Sequence, residues 1–138
     1  MDYEFPYLKD TNPGSISPLA LAYIGDAVYE VFVRTYVLNR ANMPVNKLHR
    51  AATKYVSAQA QSRIMNVLEP FLSDEELSVY KRGRNAHSHT SAKNADIVDY
   101  RRATGLEALV GFLFIKKSYD RINELINIAF RIDNEDKQ

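Results

Sequence analysis

Leu19-Ala-Leu-Ala-Tyr-Ile-Gly-Asp-Ala-Val-Tyr-Glu-Val-Phe-Val33 is the stretch on which the reading of this chain turns. Ser17-Pro18 ahead of it reads as an N-cap with proline in the first helical position. The helix should run to about Asn39, because Arg40-Ala-Asn-Met-Pro44 closes it with a pre-proline break. Within this apolar run sits Asp26, and carboxylates are rarely placed among apolar groups unless something compensates their charge. Gly25 beside it costs a helix roughly 1 kcal/mol relative to alanine, which implies close approach by another backbone. A second run, Ala103-Thr-Gly-Leu-Glu-Ala-Leu-Val-Gly-Phe-Leu-Phe-Ile115, repeats the pattern with Glu107 between Gly105 and Gly111. Two such helices can pack closely and bring their acids together.

Outward from these runs, helical spacing continues. Val45 opens a segment with Leu48, Ala51, Ala52 and Tyr55 at i, i+3, i+4 and i+7. Ser57 caps a third, with Ile64, Val67 and Leu68 inward, ending at Glu69-Pro70. Ser73-Asp-Glu-Glu76 is a capping box ahead of Leu77, Val79 and Tyr80. The block Lys81-Arg-Gly-Arg-Asn-Ala-His-Ser-His-Thr-Ser-Ala-Lys-Asn-Ala95 contains no acid and reads as a polar, mobile loop. The Glu107 helix should span about Asp96 to Lys117. A last helix, capped by Ser118, puts Ile122, Leu125, Ile126 and Phe130 on one face. Residues 1–16 read as an irregular lead-in and 133–138 as a mobile charged tail. The fold class is all-α, with about six or seven helices.

The 138 residues suffice for one domain with a substantial core. No cysteine is present, which excludes disulfides and thiolate metal sites and suits a cytoplasmic location. No run approaches a membrane span, and Met1-Asp-Tyr-Glu is no signal peptide. A net charge of +1 says little about partners, so local clustering of charge matters more.

On helix pattern alone, Asp26 and Glu107 either ligate a metal or pair with arginines such as Arg34 and Arg102. Glu30 reads as the i, i+4 partner of Arg34, and Asp96 and Asp99 as helix-start acids. Lys81, Arg82, Arg84, Asn85, His87 and Lys93 either form a solvated loop or meet nucleic-acid phosphates. His87-Ser-His89 lacks the further ligands of a zinc site.

Tyr23-Ile-Gly-Asp-Ala-Val28 and Glu107-Ala-Leu-Val-Gly111 resemble the two signature helices of the ribonuclease III catalytic domain. With Lys81-Arg-Gly-Arg-Asn-Ala86 between them, the chain is similar from about Ser17 to Tyr119 to the Mini-ribonuclease III family, which has no double-stranded-RNA-binding domain. The resemblance implies the ribonuclease III endonuclease fold in a homodimer that binds double-stranded RNA. Each subunit would cut one strand, leaving 5′-phosphate and 3′-hydroxyl ends, and the RNA would be a precursor of large-subunit (23S) ribosomal RNA. It implies magnesium held by Asp26 and Glu107 as the catalytic residues, and RNA contacts from Lys81, Arg82, Arg84, Asn85, His87 and Lys93. It also implies a dimer interface along Tyr23, Ala27 and Val31, which could otherwise belong to the monomer's own core. Affinity would come from the dimer surface or from a ribosomal-protein helper.

The sequence departs from the larger enzymes, which carry further acids where Leu19, Ala22 and Thr104 stand here. Thr104 shares a face with Glu107 and can hold a metal-associated water through its hydroxyl, but it supplies no charge. Hard-oxygen coordination of magnesium would then be completed by water and RNA phosphate. The missing acids keep an alternative open: a dimeric structured-RNA-binding module in ribosome assembly that does not cleave.

Overall fold

The computed structural model describes residues 11–86 and 96–135. Among the described residues six α-helices succeed one another: α1 (Pro18–Arg40), α2 (Val45–Val56), α3 (Ala58–Leu68), α4 (Asp74–Asn85), α5 (Ile97–Ile115) and α6 (Tyr119–Glu135). Short 3-10 turns at Pro13–Ser15 and Glu69–Phe71 precede α1 and join α3 to α4, and the described residues contain no strand. None of these helices is long and apolar enough to cross a membrane.

Local chemistry sets the helix boundaries. Ser17 Oγ accepts from the Ala20 amide at 3.2 Å, with Pro18 starting α1. Ser57 ends α2 and caps α3 through the Ala60 amide at 3.1 Å. The Ser73 and Glu76 side chains exchange bonds with each other's amides, as the capping box predicts. Asp96 stands at the N-cap of α5 without the expected side-chain bond.

α5 is the axis of the molecule. Ala103, Leu106, Ala108, Leu109, Val110, Phe112, Leu113 and Ile115 are buried all around it, and a helix apolar on every side must be enclosed. α1, α3, α4 and α6 all pack on it. The α1–α5 crossing is closest: a Cβ on Gly25 would lie 1.7 Å from the Glu107 carbonyl oxygen, and one on Gly111 would lie 1.9 Å from that of Leu21. Only glycine admits two backbones at that separation.

Two expectations need correction. Lys81 to Asn85 is the last turn of α4 rather than loop, because Gly83 lets that turn pack down on α5, where a Cβ would meet Ala108 Cβ at 2.6 Å. The supposed mobile tail from residue 133 begins as the final turn of α6. There Asp133 is buried against Arg63 at 2.6 Å, and Asn134 bonds the hydroxyls of Tyr36 and Tyr55. Expectations for residues 1–10, 87–95 and 136–138 lie outside the described residues.

Candidate active site

The α1–α5 crossing that the glycines permit places Asp26 and Glu107 side by side. Their carboxyl groups lie within hydrogen-bonding reach of each other. Glu107 is half-buried, whereas Asp26 is exposed, which corrects the expectation of an enclosed acid. Asp26 stands on the rim between α1's buried residues (Ala22, Gly25, Tyr29) and a solvent face that is itself apolar. An apolar run therefore did not mark which side was inside.

Burial pushes Glu107 up to about 8 from its ordinary 4.5, with the Asp26 carboxylate beside it acting in the same direction and the Gln61 amide opposing. Neither acid is claimed by the arginines considered for it. Arg34 pairs with Glu30 at 2.8 Å, as expected, while Arg102 meets Asn66 and lies 3.8 Å from Glu69. Two crowded carboxylates without a cation between them among the described residues suit a divalent ion with hard-oxygen preference. The described residues hold no cluster of three such side chains, so the protein would supply two ligands and leave the remaining positions to water or phosphate. Thr104 is half-buried one turn before Glu107, its hydroxyl donating to the Tyr100 carbonyl at 3.0 Å. Its oxygen remains able to accept a hydrogen bond from water.

Gln61 was missed by sequence reasoning. It is 3% exposed, its amide nitrogen donates to the Val56 carbonyl at 3.0 Å, and the side chain bonds the Glu107 carboxyl group. Its Oε1 is buried with no partner among the described residues, a free acceptor beside the acid pair. The signal was present: Gln61, Ile64 and Leu68 follow at i, i+3 and i+7 on one inward face.

The basic block reaches the site through α4. Gly83 seats the last turn 3.3 Å from the Thr104 carbonyl oxygen, measured from its would-be Cβ. Arg84 stacks over the Tyr80 ring at 5.6 Å and donates to Asn85 Oδ1 at 3.2 Å. Lys81, Arg82 and Asn85 are exposed. His87 and Lys93 lie outside the described residues. On α1, Tyr23 is 84% and Val31 63% exposed, and Ala27 between them is exposed too. These side chains therefore do not serve the monomer's core.

Residues 19–118 match the model of the ribonuclease III domain. The chain belongs to the ribonuclease III family. It is 45% identical over 124 residues to Mini-ribonuclease 3 of Clostridium tetani, spanning 89% of this chain and 82% of that one. Identity to Mini-ribonuclease 3 of Brevibacillus brevis is 49%, covering 88% of this chain and 90% of the relative. With the Staphylococcus aureus protein of the same name it is 43%, over 92% and 96%. A crystal structure of a Fusobacterium nucleatum protein superposes with a TM-score of 0.77 at 29% identity, covering 86% of this chain and 95% of that one. Within the ribonuclease III family the chain thus falls in the Mini-ribonuclease 3 group, and it is an endoribonuclease.

Proposed function

We propose that this endoribonuclease is magnesium-dependent and specific for double-stranded RNA, and that it trims the ends of the 23S ribosomal RNA precursor as a homodimer. Each subunit cuts one strand and leaves 5′-phosphate and 3′-hydroxyl ends. The observation that carries the reading is the contact between Asp26 and Glu107 at the glycine-lined crossing, with no arginine neutralising either among the described residues. Asp26 and Glu107 hold the ion, and Thr104 accepts a hydrogen bond from a water beside it. A bound magnesium ion orients and acidifies water and offsets charge on the scissile phosphate. Gln61 fixes the Glu107 carboxyl group from the protein side, and Arg82, Arg84 and Asn85 meet the RNA backbone at the mouth of the site. The exposed apolar line of Tyr23, Ala27 and Val31 supports pairing of two subunits through α1.

Among the described residues only two carboxylates meet at the site, the observation behind the alternative of a non-cleaving RNA-binding module. A cleavage assay on a precursor duplex separates the two, run with magnesium and with chelator on wild type, Asp26→Asn and Glu107→Gln. The enzyme reading expects magnesium-dependent cuts in both strands, lost in each variant while fold and dimer persist. Binding without any cut would establish the module, and cleavage surviving either substitution would move the metal elsewhere.

A further inference from the structure

Between Glu30 and Glu69 the chain has no acid, yet it carries Arg34, Arg40, Lys47, Arg50, Lys54 and Arg63. The structure sorts these six. Arg34 is taken by Glu30 and Arg63 by Asp133, and Arg40 donates to the Tyr36 hydroxyl. The remaining three, Lys47, Arg50 and Lys54, are all on α2, all exposed, and paired with no acid among the described residues. Their spacing of i, i+3 and i+7 aligns them along one stripe, opposite the buried Ala52 and Tyr55.

Where this stripe leads gives it meaning. α2 packs back along α1, and the Tyr29 hydroxyl donates to the Tyr55 carbonyl at 2.7 Å. Tyr29 is buried one turn beyond Asp26 on α1. The last carbonyl of α2, that of Val56, is bound by Gln61, which bonds Glu107. The end of α2 that carries Lys54 is therefore tied to the acid pair through Gln61, and Lys47 stands about 10 Å back along the helix axis. A nucleic-acid duplex presents several phosphates over that distance.

We propose that Lys47, Arg50 and Lys54 form a phosphate-contacting ridge that extends the RNA-binding surface from the cleavage site along α2, separate from the α4 block. The inference rests on the double-strand reading above. Flexible ammonium and guanidinium groups on an exposed helix neutralise phosphates without reading bases, so the ridge supplies affinity and register rather than sequence choice.

The test compares full-length Asp26→Asn protein, which retains RNA uncut, with the same protein carrying Lys47→Gln, Arg50→Gln and Lys54→Gln. Binding to two duplex RNAs of unrelated sequence is measured across a salt series, with thermal unfolding as a check on the fold. The ridge predicts weaker binding to both duplexes and a salt slope reduced by about 1 for each cation removed. Replacing Lys47 and Lys54 by arginine should preserve the slope. If the parent binds with a steep salt dependence that the triple variant shares, the ridge is overturned, whether the stripe is merely solvated or serves an acidic protein. If the parent binds neither duplex, the double-strand reading falls and the ridge falls with it.

Discussion

At the scale of single residues, Glu107 has the most testable physics. Between pH 4.5 and about 8 the folded chain keeps a proton there that the unfolded chain has released. The metal-free protein must therefore lose stability as pH rises through that window, by at most roughly 1.4 kcal/mol per pH unit, with no contribution to the slope outside it. Glu107→Gln should remove this part of the slope and make the metal-free protein more stable than wild type at pH 8, read by thermal unfolding across pH 5 to 9. An equal slope in both proteins would assign the pH dependence to other groups. Gln61 acts on the same carboxyl group and favours its ionised form. Gln61→Leu should lower cleavage about 10- to 100-fold at neutral pH, the range for losing a group that orients a metal ligand. It should also displace the pH–rate profile to the alkaline side. A uniform loss with the profile in place would make Gln61 only a packing residue.

At the scale of elements, the α1–α5 crossing and the end of α5 make opposite predictions. Gly25→Ala drives a methyl group into the Glu107 backbone, 1.7 Å from its carbonyl oxygen. The helices must part, at a cost of about 3 kcal/mol or more, and the two acids part with them. Denaturant unfolding and cleavage should fail together, and a stable, active Gly25→Ala protein would contradict the crossing. The α5 terminus is improvable instead. Lys117 is the single non-glycine residue with positive φ (64°) among those described. The turn closes with the Ser118 amide on the Leu113 carbonyl at 2.8 Å and the Lys117 amide on that of Phe114 at 3.0 Å. Such a C-terminal turn favours glycine. Lys117→Gly should raise stability by about 1 kcal/mol, seen as a higher denaturant midpoint at unchanged slope.

For the whole molecule, the outward side of α1 is the main unspent apolar surface. Tyr23 and Val31 are exposed on it, and Leu38 further along is 62% exposed, a pattern that suits association through α1. Val31→Glu should leave the monomer fold intact, since the side chain packs on nothing essential in one chain. It should turn a dimer into a monomer by analytical ultracentrifugation and reduce cutting of both strands. A dimer that persists would place the interface elsewhere. Two buried-end ion pairs hold the distant elements around this assembly. Arg121 on α6 grips Glu76 of α4 through two bonds of 2.8 Å, and Arg63 on α3 grips Asp133. The Arg121 guanidinium holds Glu76 below the usual carboxylate range.

By itself the sequence determined the helices and the two acids, because capping and periodicity act over a few residues. Ser17, Ser57 and Ser73 cap where their side chains predict, and Ile122, Leu125, Ile126 and Phe130 face inward. Gly25 and Gly111 foretold the close crossing, and with it the meeting of Asp26 and Glu107. Only the tertiary structure decided which rim of α1 carries Asp26, since that helix is apolar on its solvent side as well. Tertiary packing also brought Gln61 to Glu107 and seated Gly83 on α5. It drew Asp133 into α6 by giving it Arg63 across the fold. These outcomes depend on partners far apart in sequence, whose burial and charge pairing exist only once the helices have packed.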